Sequence, residues 1–109
     1  MNINRIFDKV FCLSLESRHD RWLAVNQEFI DNNIKVERFL GVQGNILEIA
    51  STSNVKPGAV ACTMGHLFLH KLAEMQNLHS FLIFEDDVTL AENASRRFYE
   101  IYQNEIPQD

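Results

Sequence analysis

Ser80-Phe81-Leu82-Ile83-Phe84-Glu85-Asp86-Asp87 is the stretch on which the fold turns: an unbroken apolar run that stops at three consecutive carboxylates. A run this short, apolar throughout and rich in aromatic residues, predicts a buried strand. Upstream, Pro57-Gly58 punctuates the chain and opens a long helix, with Met64, Leu67, Phe68, Leu72 and Met75 as its apolar stripe. Asn45 to Lys56 is weakly patterned and reads as a loop with a short helix around Ile46 to Ala50. Val36 to Leu40 is a second strand, closed by Gly41-Val42-Gln43-Gly44. Before it, Trp22, Val25, Phe29 and Ile30 recur at helical spacing, and Asn32-Asn33 ends that helix. The polar cluster Glu16 to Asp20 separates this helix from a first strand, Val10-Phe11-Cys12-Leu13-Ser14-Leu15. Downstream of the triplet, Thr89-Leu90-Ala91-Glu92 has the form of a capping box. It predicts a last helix that buries Ala94, Phe98 and Ile101.

Strand, helix, strand, helix, strand, helix is the order of a parallel sheet covered by helices, so the chain is read as α/β. Such sheets bind ligands at the carboxyl ends of their strands. The acidic triplet and the loop Glu16 to Arg21 both fall at such ends and can meet in space. The chain has 109 residues, 46% apolar and 23% charged, which suits one domain, 1–109, with a single core. A net charge of -5, without a basic patch, argues against nucleic acid as a partner. Cys12 and Cys62 sit inside apolar runs and are read as reduced core residues. Neither a secretory leader nor a run long enough to cross a bilayer stands out, so the cytoplasm is the expected compartment.

Three adjacent carboxylates beside an apolar core raise one another's pKa unless something cancels their charge. A hard divalent cation such as Mg²⁺ or Mn²⁺ does this with oxygen ligands. The period of two in an extended chain puts Glu85 and Asp87 on one side and Asp86 on the other. The plainer alternative is a solvated strand end leading into a helix, whose dipole favours acidic residues at its start. His66 and His70, one turn apart, have zinc spacing, but the sequence offers no flanking Glu and no third ligand.

Taken together, these segments resemble the amino-terminal part of glycosyltransferase family 25, which includes bacterial lipopolysaccharide galactosyltransferases and collagen galactosyltransferases. The resemblance runs through Phe11-Cys12-Leu13-Ser14-Leu15 with Arg18 and Arg21-Trp22, then Arg38-Phe39-Leu40-Gly41-Val42-Gln43-Gly44. It continues in Gly58-Ala59-Val60-Ala61-Cys62-Thr63-Met64-Gly65-His66 and ends in Glu85-Asp86-Asp87-Val88. Ser14 stands where the family has Asn and keeps a hydrogen-bonding group. Ala61 replaces the family's second Gly, and Gly65 replaces the Ser before His66, at up to about 1 kcal/mol in helix propensity.

The resemblance implies a glycosyltransferase A-type, Rossmann-like, mainly parallel sheet flanked by helices, truncated to about the first half and incomplete at the C-terminus. It implies a nucleotide-sugar donor, with UDP-galactose first, bound through Arg18, Arg21, His66 and Asp86. Mn²⁺ or Mg²⁺ is assigned to Glu85 and Asp87. The acceptor is expected to be a saccharide of lipopolysaccharide or another surface glycan, with peripheral membrane association through a lipid-linked acceptor. The catalytic base is not assigned; in the family it would come from the missing half. The rival expectation is a non-catalytic module of the same fold that binds a nucleotide sugar or serves as an assembly partner. Its exposed sheet edge would favour a homodimer.

Overall fold

The computed structural model describes residues 3–41 and 57–105. A turn of 3-10 helix, Ile3–Arg5, leads into β1, Lys9–Ser14, and a second such turn, Glu16–Arg18, leads into α1, His19–Asp31. β2 follows at Glu37–Leu40, α2 at Pro57–Met75, β3 at Phe81–Glu85 and α3 at Ala94–Glu105. The expected turn at residues 42–44 and the loop with a short helix at residues 45–56 lie outside the described residues.

β1 lies between β2 and β3, and both pairings are parallel. The chain leaves β1 to one side for β2 and returns on the other side as β3. That reversal makes the β1/β3 border the switch point of a doubly wound sheet, where ligand clefts form. The expected parallel α/β sheet is therefore present, although β3 is not buried on both faces: Phe81, Leu82, Ile83 and Phe84 are all half-buried. β1, paired on both sides, is the buried strand.

Alternation along the strands assigns the two faces. Val10 and Cys12 of β1 join Val25 and Phe29 of α1 and Ile34 in one cluster, with Leu82 and Phe84 of β3 packed against it. The Phe29 and Phe84 rings are 5.0 Å apart. Phe98 of α3 completes this face against Phe7, with ring centroids 5.8 Å apart. The opposite face carries Phe11 and Leu13, and α2 covers it with Ala61, Gly65, Leu69 and Ala73, all buried.

Three apolar stripes need correction. Ile30, at 57% exposure, lies off the buried face of α1, which Val25 and Phe29 define. On α2, Leu67, Phe68 and Met75 are exposed, because the helix approaches the sheet along its small residues instead. A β-carbon placed on Gly65 would sit 3.1 Å from Leu13 Cδ2, so the missing side chain is what lets helix and strand touch. Ile101 is likewise exposed on α3. That helix starts at Ala94, not at the capping box. Val88 and Leu90 run non-helically across the α1 cluster, and the Leu90 N–H donates to Glu28 Oε1 at 3.2 Å. Asn93, in the left-handed region at φ 57°, then turns the chain into the helix.

Candidate functional site

A cleft of about 250 Å³ opens at the carboxyl ends of β1 and β3. Leu13 to Leu15, Arg21, Gly41, Ala61 and Cys62 line it together with the whole acidic triplet. The parallel register pairs Leu13 with Glu85, so Ser14 falls beside Asp86 at the next step. The face assignment of the sheet continues into the triplet: Asp86 is on the α1 side and Glu85 on the α2 side.

Asp86 is the best-anchored of the three. Its Oδ2 accepts a hydrogen bond from the buried Ser14 hydroxyl at 3.0 Å, and its Oδ1 pairs with Arg21 Nη2 at 2.9 Å. Only 12% of the Asp86 side chain is exposed, against 36% for Arg21. Charge-assisted pairs this short are the stronger kind of hydrogen bond. The guanidinium keeps further N–H donors that this bond does not use. Ser14 would leave a buried hydroxyl unsatisfied without Asp86, which explains why a hydrogen-bonding residue ends β1.

Glu85 faces the other wall. Its Oε1 lies 3.2 Å from Cys62 Sγ, which donates to it, and 3.4 Å from His66 Nε2. These two contacts, the thiol first, hold the Glu85 carboxyl below its usual range. The same hydrogen bond, with some burial, pushes the Cys62 thiol up. Part of the charge crowding expected of the triplet is thus met by Arg21 on one wall and by Cys62 and His66 on the other. Asp87 is exposed in the turn closed by the Val88 N–H to the Glu85 carbonyl, and it lines the cleft.

Not all the sequence candidates converge. Arg18 is not among the residues lining the cleft and forks onto Asp20 at 3.1 and 3.2 Å. His70 packs its ring edge-on to Phe81 at 5.0 Å, on a different course from His66. Cys62 is exposed, not a core residue, because it follows buried Ala61 on the side of α2 that looks toward β3. Cys12 is buried, and burial first, then Asp86, pushes its thiol up to about 12.

Sequence reasoning assigned His66 to the site but overlooked two residues here, Cys62 and Arg38. Cys62 and His66 stand four apart on a helix that points them at a carboxylate, a spacing legible once both are placed on α2. Arg38 is the other. It reaches from β2 to donate to the Leu15 carbonyl at 2.8 Å, meets His19 Nδ1 at 3.0 Å, and lies 5.7 Å over the Trp22 ring. It ties down the loop that delivers Arg21, and a charged residue in the middle of a strand was its signal.

Fold and cleft together define a doubly wound α/β domain with an acidic site at its switch point. Residues 7–108 match the family model described as Glycosyltransferase family 25 (LPS biosynthesis protein), and the chain belongs to that family. A curated protein of Haemophilus influenzae (strain ATCC 51907 / DSM 11121 / KW20 / Rd), named "Putative glycosyltransferase", is 30% identical over 95 residues. That alignment covers 77% of this chain and 34% of the relative, so the chain spans about a third of the relative's length. Among the described residues, no helix is long and apolar enough to cross a membrane.

Proposed function

We propose that this chain is the nucleotide-sugar-binding part of a metal-dependent glycosyltransferase, with UDP-galactose as donor and a saccharide of lipopolysaccharide or another surface glycan as acceptor. The observation that carries the reading is the Ser14–Asp86–Arg21 clamp at the switch point of the sheet. It fixes one carboxylate of the triplet and leaves Glu85 and Asp87 lining an open cleft. Those two offer hard oxygen donors of the type Mg²⁺ and Mn²⁺ take, so the residues fit the ion that the family resemblance implies. When bound, such an ion supplies Lewis-acid stabilisation to a departing diphosphate.

The chain's own residues have separate tasks in this reading. Arg21, oriented by Asp86, turns its remaining N–H groups to the diphosphate. Asp86 accepts from a sugar hydroxyl with lone pairs that Ser14 and Arg21 leave over. His66 flanks the donor from the α2 wall. Arg18 can reach phosphate only by leaving Asp20, so its share is the smallest. Leu15, half-buried where it lines the cleft, offers apolar surface to the base or sugar.

The test is calorimetric titration of UDP-galactose into the protein with and without Mn²⁺, followed by donor hydrolysis. Manganese should tighten binding, and Asp87→Ala should abolish that gain while Asp31→Ala keeps it. Binding without hydrolysis would favour the non-catalytic module of the same fold. If neither nucleotide nor manganese binds, the donor-site reading is wrong.

A further inference from the structure

Cys62, His66 and Glu85 form a convergent set that the donor reading leaves partly unused. Cys62 Sγ and His66 Nε2 project from successive turns of α2 onto one oxygen, Glu85 Oε1, at 3.2 and 3.4 Å. The three ligand atoms all lie within 4.8 Å of one another. Tetrahedral zinc, with bonds of about 2.3 Å to sulfur and about 2.0–2.2 Å to nitrogen and oxygen, separates its ligand atoms by about 3.3–3.6 Å. The two contacts to Glu85 lie close to that spacing before any ion is present.

The donor set is also chemically selective. A thiolate and an imidazole suit zinc, whereas Mg²⁺ and Mn²⁺ prefer oxygen alone. We propose that Cys62, His66 and Glu85 form a binding site for a soft divalent cation, Zn²⁺, with its fourth position open to the cleft. The site shares Glu85 with the oxygen-ligand pair assigned above, so zinc competes for that carboxylate and weakens manganese-dependent donor binding. Cys62 belongs to the zinc set alone, which makes the two readings separable.

Cobalt(II) titration of the whole chain, without nucleotide, is the direct test. A tetrahedral cobalt spectrum with a sulfur-to-cobalt charge-transfer band in the near ultraviolet is the expected result, and Zn²⁺ should bleach it stoichiometrically. Cys12 is fully buried and cannot be the source in folded protein. Cys62→Ser should remove the band. His66→Ala should lower cobalt affinity by more than the ~10–100-fold lost when an outer partner of a metal ligand is removed. Circular dichroism of each variant establishes that it is folded. No band, or a band that survives Cys62→Ser, overturns the proposal, as does unchanged affinity in His66→Ala. Failure of the donor reading looks different: the band persists while UDP-galactose and Mn²⁺ do not bind.

Discussion

The two faces of the sheet are built from opposite materials. On the α1 face, large side chains fill the space: Phe29, Phe84 and Phe98 with Val10, Val25 and Ile34. On the α2 face, the helix comes close because Ala61, Gly65 and Ala73 have little side chain to keep it away. Each face ends in its own carboxylate. The bulky face terminates in Asp86, enclosed by Ser14 and Arg21, and the thin face in Glu85, open to solvent beside Cys62 and His66. Neighbouring acids of one motif therefore have different duties, set by which helix each one meets.

Perturbing the bulky face should have the largest effect. Phe29→Ala empties a fully buried position and should cost about 3–5 kcal/mol in chemical denaturation, enough to threaten folding of a small domain. Gly65→Val tests the thin face. Overpacking against Leu13 should cost about 1–3 kcal/mol, and it should weaken cobalt binding by lifting Cys62 and His66 away from Glu85. If Gly65→Val is neutral in both measurements, close approach is not what positions α2.

Asp86→Ala should come next, at about 1–3 kcal/mol, since it strands the buried Ser14 hydroxyl and a partly buried Arg21. A cycle with Arg21→Ala should give less than the sum of the two single losses. Cys62→Ser should stay within about 0.5 kcal/mol, as expected for an exposed position. Its effect belongs to metal binding and not to stability.

Thiol chemistry gives the finest contrast. Metal-free native protein should react with one equivalent of a disulfide reagent at mildly alkaline pH, through Cys62, and with two equivalents in denaturant. Cys12, shielded and pushed up to about 12, stays protonated as long as the protein is folded. The Glu85 carboxylate raises the Cys62 pKa, so Glu85→Gln should lower it and speed alkylation at a given pH below that pKa. An unchanged alkylation rate would show that the thiol and the carboxylate are apart in solution.

Much of the architecture was legible because it depends on long apolar runs. Val10 to Leu15 and the run before the triplet both became strands, displaced by a residue at most. Period-two alternation also separated Glu85 from Asp86 correctly. What was missed on α2 has one cause: apolar counting rewards large residues, whereas of its described buried positions Ala61, Gly65 and Ala73 are small and Leu69 alone is large. Leu67, Phe68 and Met75 attracted the stripe and are exposed, and the true row, with Ala61 and Gly65 in it, carries little hydrophobic signal. The capping box failed because the backbone at Leu90 found a partner on α1, a contact between residues 62 positions apart that local pattern cannot express. The triplet and its meeting with the Arg21 loop could be read in the sequence, but the individual pairings could not, since Ser14, Arg21, Cys62 and His66 find their particular carboxylates only through the strand register and the seating of two helices.

Gly65 stands one residue before His66 and three after Cys62, at the point where α2 rests on Leu13. The helix is stiff over such a distance, so the gap at this fulcrum sets how far both side chains hang over the sheet's rim. A single methyl group there would act as a shim, changing the reach of the thiol and imidazole without replacing either. Selection on the α2 wall can therefore act at a residue that never touches a ligand.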